Sequence, residues 1–558
     1  MLLVRLAWTS LGLSGLTLVL HALARWQGAT VWDDAFIFQR YAQNVAAGHG
    51  VSFNASDGPA YGLTSLLYLV PVVMVRWVVV DPALASLVTS SICALVGVAL
   101  LAHLGIRAAG GGAAGGLTAA AVAVVVASPV SAAHAVSGMD AWFGVAFIAA
   151  LIGALDRFER EPSRGWRVGL IAALALWIRP ESVAFGAAVV FFAAVSPAPS
   201  HGRRQVLRLA LALGLGVVGL LLSAWWYFGV ALPLPFFTKA SGVYGPGFRR
   251  VYRGVGIKEL GVFAEQAWLL ALPLLLVVAR GPRVWWQTAS ATERGVAAAT
   301  VTILVFHALV ALPVMGMSAR FYQPLLAPLV YLSGRALRRV AATWSVPTGA
   351  VALAHLASWM LVLPLAAEGL RGTGERLRHR LTVDTEGLAS SKGPRKYWPG
   401  LDQLAGLPPL TIAATEVGFL GIVAARHRIV DIAGLNTAAF AFGPFDVDHL
   451  TVEERPDLVY LPHPDYKAMT AALETHDGFQ RDYQVLSRRR VGGSHYGVAV
   501  RRDSPHAEVV LRAVDPRYVA RKARASALES RKARASALES SEARASALAY
   551  RQPGSAVP

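Results

Sequence analysis

Two aspartates stand side by side in the run Trp32-Asp33-Asp34-Ala35-Phe36-Ile37-Phe38-Gln39-Arg40-Tyr41, just after the first apolar segment. Adjacent carboxylates can do proton chemistry: one acts as a base toward an acceptor hydroxyl while the other holds a cation or orients the pair, and each charge raises the proton affinity of its neighbour. The same residues also suit a helix start, since Asp is a favoured N-cap and stabilises the positive end of the helix dipole. Both roles are open, one residue each. Phe38, Tyr41, Ala42 and Val45 recur at i, i+3, i+4 and i+7, which predicts an amphipathic helix lying at a membrane interface, with Gly48 and Gly50 as its stops.

Other polar residues sit where apolar segments end. Asp140, in Ser137-Gly138-Met139-Asp140, is either a cap or a pocket carboxylate. Arg179 and Glu181 interrupt an apolar stretch at Trp177-Ile178-Arg179-Pro180-Glu181, as a structural pair or as site residues. Arg320 and Tyr322 lie in Met317-Ser318-Ala319-Arg320-Phe321-Tyr322-Gln323-Pro324, where an arginine either snorkels to headgroups or faces a ligand. The loop 230–259 carries Lys239, Arg249, Arg250, Arg253 and Lys258. That much positive charge calls for an anion. A lipid-linked phosphate fits, because its charge sits at this depth while its tail stays in the bilayer; generic headgroup binding is the alternative.

The elements that must hold these residues are membrane helices. Of 558 residues 55% are hydrophobic and only 15% charged, with mean hydropathy +0.48, and apolar runs of about 20 residues fill the first two-thirds of the chain. The first run, 6–23, is too long for a signal-peptide core and is read as a retained helix. Further spans are expected near 62–80, 84–106, 117–130, 139–156, 167–178, 181–196, 207–229, 260–279, 295–314, 322–334 and 346–366. The loops holding Arg157, Arg160, Arg164 and Arg167, then Arg203, Arg204 and Arg208, then Arg280, Arg283 and Arg294, and finally Arg335, Arg338 and Arg339 are assigned to the cytoplasmic side. All the polar residues singled out above then share the outer face. Parity requires one segment between 62 and 138 to be re-entrant, and 117–130, which follows a glycine-rich stretch and ends at Pro129, is the expected one. About 11 true crossings result. The net charge of +18 is explained by these loops and by anionic lipid, with no nucleic acid partner. The single cysteine, Cys93, permits no internal disulfide.

Residues 1–366 thus form the membrane domain. From 367 to 518 charged residues, prolines and short β-like runs such as Leu458-Val459-Tyr460-Leu461 predict a mixed α/β soluble domain on the outer, periplasmic side, with carbohydrate binding as its expected job. In 519–558 Ala-Arg-Ala-Ser-Ala-Leu recurs every ten residues, a low-complexity tail that matches no coiled-coil period. No Gly-x-x-x-x-Gly-Lys-Ser/Thr loop, dinucleotide fingerprint or Cys/His zinc pattern occurs, so ATP-driven transport and dinucleotide chemistry lose their support. A transporter or flippase would place charges near the bilayer midplane, whereas here they gather at one surface.

Taken together, Asp33-Asp34-Ala35-Phe36-Ile37, Arg40-Tyr41-Ala42, Gly48-His49-Gly50 and Tyr61-Gly62-Leu63-Thr64-Ser65 resemble the GT-C fold, polyprenyl-phosphate-sugar-dependent glycosyltransferases. The nearest likeness is to the terminal β-(1→2) arabinofuranosyltransferases of mycobacteria. Ser137-Gly138-Met139-Asp140, Arg179-Pro180-Glu181, Leu234-Pro235-Phe236-Phe237-Thr238-Lys239 and Arg320-Phe321-Tyr322-Gln323-Pro324 follow in the order of that family, covering residues 1 to about 335. Glu416-Val417-Gly418-Phe419-Leu420-Gly421 and Asp431-Ile432-Ala433-Gly434-Leu435-Asn436 look like the family's outer soluble domain.

The resemblance implies a multi-pass enzyme of the bacterial cytoplasmic membrane that moves a sugar, here D-arabinofuranose, from decaprenyl-phosphoryl-arabinofuranose to an envelope glycan on the outer face. Mannosyl or aminoarabinosyl transfer to protein or lipid A is the neighbouring alternative. It implies Asp33 as the essential carboxylate, with Asp34 beside it as a possible ligand of a divalent cation, and no other cofactor. It also implies that Arg179, Lys239 and Arg320 face the donor phosphate, while Tyr61, Asp140, Glu181 and Tyr322 line the pocket. Pro59-Ala60 and Met139-Asp140-Ala141 depart from the family's acidic positions, which leaves sugar, linkage and stereochemical course open.

Overall fold

The computed structural model describes residues 2–25, 31–196, 202–241, 245–279, 281–311, 317–343, 346–382, 398–463, 466–486, 489–491, 494–515 and 517–549. The chain is a polytopic helical membrane protein carrying a small sheet domain near its C-terminus. Among the described residues six helices are long and apolar enough to cross a bilayer: Pro82–Ala108, Ala141–Arg160, Gly202–Phe228, Gly254–Ala279, Ala291–Val310 and Thr348–Glu368. Leu207, Leu211, Leu215, Val218 and Leu222 stay exposed along Gly202–Phe228, the face a helix turns to lipid.

The expected figure of about 11 crossings is larger than the number that qualify, and helix length explains the difference. The run near 62–80 yields a 3-10 turn and the eight-residue helix Leu69–Arg76, and that near 167–178 yields Gly165–Leu174 followed by another 3-10 turn. At 1.5 Å per residue, ten helical residues cover about 15 Å, half of a hydrocarbon core. In the segment expected to be re-entrant, Gly112–Ala127 and Pro129–Ala135 meet at a 66° bend, a broken span or a re-entrant pair. Pro129 occupies the first position of the second helix and Ser128 caps it. The last membrane helix does not stop where the composition changes at 367 but runs from Thr348 to Thr382.

The sheet is five-stranded. Strands β1 (Thr411–Ala414), β2 (Arg428–Asp431), β3 (Leu458–Tyr460), β4 (Tyr483–Val485) and β7 (Val498–Arg501) lie in the order β2-β1-β3-β7-β4, parallel around β1 and antiparallel around β7; β5 (Arg489–Val491) and β6 (Ser494–Tyr496) form a separate ribbon. Because strand side chains alternate, Ala413, Val430, Val459 and Ala499 pack on one face with Leu473 and Phe479. Ile412, Ile429, Leu458 and Val500 pack on the other, in the same core cluster as Phe36, Tyr41 and Phe419. That second core joins the sheet to the helix Asp33–Ala46.

Trp32 is the N-cap of this helix, so neither aspartate is. The expected interfacial helix with one wet face is not what forms, because Ala35 through Ala42 are all buried. The sheet domain covers the side that would otherwise be polar, through Arg40. Its guanidinium donates to the carbonyls of Phe53, Gly421 and His427 and to Oδ1 of Asn54. The tail forms one exposed helix, Tyr518–Ala549.

Candidate active site

The backbone first brings the acidic residues together. The Trp32 N–H donates to the Ser137 carbonyl at 3.0 Å, tying the start of the Asp33–Ala46 helix to the turn that precedes Asp140. Gly138 is required in that turn. Its φ is +77°, and a Cβ there would lie 2.8 Å from the Cβ atoms of both Ala35 and Ser86. Asp140 occupies the N-cap position of Ala141–Arg160 but makes no capping bond with its side chain; the carboxylate turns instead to two arginines.

Arg179 is presented by a broken helix. Pro180 forces the residue before it into an extended conformation, φ −153° and ψ 111°, and a new 3-10 turn starts at Pro180. Arg179 lies 3.6 Å from Oδ1 of Asp140 and 3.8 Å from Oε1 of Glu181. Arg320 bonds Oδ2 of Asp34 at 3.0 Å and lies 3.4 Å from Oδ1 of Asp140. His307, in the π-turn Phe306–Val310, reaches Oε1 of Glu181 at 3.2 Å. Asp34, Asp140, Glu181, Arg179 and Arg320 thus form one continuous network.

Phe321 is its hub. The charged ends of Lys239, Arg179 and Arg320 lie 5.1, 5.5 and 5.6 Å from the centre of its ring, and the His307 ring stacks on it at 5.6 Å. Three cations therefore converge on one aromatic ring. Arg179 and Arg320 are each only 7% exposed, yet the Nε of each lacks a hydrogen-bond partner among the described residues. Buried guanidinium donors without acceptors are costly, and an anion beside them would satisfy them.

Protonation behaviour follows from this crowding. Burial, then the Arg320 charge, pushes the Lys239 ammonium down to about 8. Burial alone would raise Asp140, but Arg179 and Arg320 overcome it and hold the carboxyl below its ordinary range. Asp33 goes the other way. Burial, helped by the Asp34 charge, lifts it to about 6, although the Gly418 and Phe419 N–H groups donate to its two oxygens at 3.0 and 2.8 Å. The two neighbouring carboxylates thus differ in their surroundings: Asp34 is paired with Arg320, whereas Asp33, its proton affinity raised by burial, is seated on the N-terminus of the helix Gly418–Val423.

The remaining expected residues sit around this cluster. Tyr61 stacks on Phe228 at 4.6 Å, and its carbonyl accepts from Leu234, which opens the helix carrying Lys239. The Tyr322 hydroxyl donates to the Gly256 carbonyl, and its ring packs against His307. Lys258 is exposed, and the side chains of Arg249, Arg250 and Arg253 lie outside the described residues. Among the described residues no three His, Cys, Asp or Glu side chains converge as metal ligands, and Asp34 is committed to Arg320. Among the described residues none joins Asp34 to make a cation site. His307 and Phe321 were not singled out by the sequence: His307 stands alone in an apolar run, although Phe321 directly follows Arg320.

No family model matches the chain, and no curated protein matches it either. Among solved structures it is similar to ArnT from Cupriavidus metallidurans bound to undecaprenyl phosphate, with a TM-score of 0.49 and 14% identity over 88% of this chain and 97% of that one. The apo state of the same protein gives a TM-score of 0.47 and 16% identity over 86% and 96%.

Proposed function

We propose that the chain is a GT-C membrane glycosyltransferase that transfers a sugar from a polyprenyl-phosphate donor to an envelope glycan on the outer face of the membrane, with D-arabinofuranose as the sugar. The observation that carries this reading is the convergence of Arg179, Lys239 and Arg320 on Phe321, with unsatisfied buried guanidinium nitrogens. A phosphate on an apolar tail is the anion that suits such a place, and the motif order of residues 1–335 supports the choice of sugar.

In the step that follows, an acceptor hydroxyl attacks the anomeric carbon and the bond from that carbon to the phosphate oxygen breaks. The phosphate leaves with the electron pair, and Arg179, Lys239 and Arg320 take up its growing charge. Asp33 accepts the hydroxyl proton, because burial raises its proton affinity while Asp34 is paired with Arg320. Asp34 and Asp140 hold Arg320 in place. With Asp33 as the base, the course is a single inverting displacement.

The test is a donor panel given to the purified full chain in lipid: decaprenyl-phosphoryl-arabinofuranose, the aminoarabinose and mannose counterparts, and nucleotide sugars. Transfer from the first supports the whole reading. Transfer from another polyprenyl-phosphate sugar alone would change the sugar, and transfer only from nucleotide sugars would overturn the donor class.

A further inference from the structure

Arg320 is aimed by an unfavourable piece of backbone. Ser318 and Ala319 are two successive non-glycine residues in the left-handed region, with φ of 56° and 59°. L-residues with a Cβ resist this conformation, and a pair of them persists only when the surroundings impose it. Here the peptide group between the two residues is gripped at both ends. Its carbonyl, on Ser318, takes the Nε2 proton of His134 at 2.6 Å, and its N–H, on Ala319, donates to Oε2 of Glu259 at 2.6 Å. The gripping side chains come from different helices, Pro129–Ala135 and Gly254–Ala279.

The second helix reads the whole segment with one stripe. Gly256, Glu259, Phe263 and Gln266 recur at i, i+3, i+7 and i+10. Gly256 accepts the Tyr322 hydroxyl, Glu259 takes the Ala319 N–H, Phe263 stacks on Tyr322, and Gln266 accepts from Gln323 at 2.7 Å. His134 is fully buried in the helix Pro129–Ala135, and Glu259, near the start of Gly254–Ala279, is 9% exposed. An ionisable residue at such a position is costly to keep and marks function.

We propose that His134 and Glu259 are positioning residues: together they clamp the Ser318–Ala319 peptide in its left-handed turn and so hold the Arg320 guanidinium against Asp34 and Asp140, ready for the donor phosphate. The role assigned to Arg320 rests on the function proposed above. Without the clamp the peptide relaxes to an unstrained conformation, and Arg320 leaves the cluster.

The experiment uses the purified full chain and two readouts. The first, amide hydrogen exchange, needs no ligand. Glu259→Leu is expected to speed exchange at Ala319 by about 10- to 100-fold, the effect of losing a bond to a charged acceptor, while the helix Leu326–Thr343 stays as protected as in wild type. Glu259→Gln, which keeps an acceptor oxygen but not its charge, is expected to exchange more slowly than Glu259→Leu and faster than wild type. The second is affinity for decaprenyl phosphate in a double-mutant cycle with Arg320→Ala. A clamp that works through Arg320 makes Glu259→Leu about 10-fold weaker in wild type and without effect in the Arg320→Ala background. Unchanged exchange in Glu259→Leu, or losses that simply add in the double variant, would overturn the clamp. If wild type does not bind decaprenyl phosphate at all, the donor reading fails, and exchange alone decides the clamp. If Glu259→Leu does not fold, His134→Phe keeps a ring against Trp32, removes the donor and carries the same two expectations.

Discussion

At the residue scale, two neighbouring aspartates are driven to different chemistry by what surrounds them. Asp33 is lifted to about 6 by burial and by the Asp34 charge, so transfer should fall as pH drops through about 6, where the base becomes protonated. Asp34→Asn removes one of the influences that raise Asp33, and the acidic limb of the rate profile should then move to lower pH. A limb that stays in place in that variant, measured as kcat/KM from pH 4.5 to 8, would separate it from Asp33. Lys239 gives the opposite limb. Its ammonium is pushed down to about 8, so it is charged below that pH and loses its charge above it. Affinity for decaprenyl phosphate, measured by titration, should weaken as pH rises through about 8, and Lys239→Met should be weak throughout with no such limb. The sequence displayed the aspartate pair, Asp140, Arg179, Lys239 and Arg320 because charges at the ends of apolar runs stand out. It did not reveal that Asp33 turns to the Gly418 and Phe419 amides, since no local spacing links residues 385 apart.

At the scale of elements, the helix Asp33–Ala46 joins membrane domain and sheet domain, and its contacts explain why motifs far apart in the chain belong together. Asp33 holds the start of Gly418–Val423, Arg40 holds its far end through Gly421, and Tyr41 hydrogen-bonds Asn436 at 3.1 Å. Gly418 is the tightest point of the joint, for a Cβ there would lie 1.9 Å from the Asp33 carbonyl oxygen. Gly418→Ala should therefore cost about 1–3 kcal/mol and loosen the sheet domain from the helix, lowering transfer while the membrane helices stay folded. Limited proteolysis read beside circular dichroism tests this; wild-type resistance to protease in the Ala variant would contradict it. Apolar periodicity made the Asp33–Ala46 helix legible, but the burial of its polar side was not, because Arg40 is satisfied by carbonyls supplied from another domain.

At the scale of the whole molecule, the charge pattern sets the orientation. The orientation proposed here puts the basic end of the helix Leu326–Thr343, with Arg338 and Arg339, inside and the sheet domain with Asp33 outside. Because Cys93 is the sole cysteine and is buried, single cysteines placed elsewhere report cleanly. In intact cells a membrane-impermeant maleimide should label Thr475→Cys and spare Arg338→Cys, both at exposed positions; the reverse pattern would invert the topology. Long spans such as Gly202–Phe228 were plain in the sequence, since hydropathy summed over 20 residues is a strong signal. Short runs were not, because composition does not tell whether 165–177 crosses or ends halfway at the break that presents Arg179.

In the proposed reaction the Arg179, Lys239 and Arg320 cluster seats a polyprenyl phosphate and Asp33 takes the acceptor proton. Sugar transfer from decaprenyl-phosphoryl-arabinofuranose to a short arabinan, measured with wild type and Asp33→Asn alongside decaprenyl phosphate binding by the same preparations, tests both halves at once. The account predicts that Asp33→Asn binds the lipid phosphate within a few-fold of wild type and transfers sugar about 10²- to 10⁴-fold more slowly. Equal transfer by the two proteins, or no binding of the lipid phosphate by wild type, would contradict it.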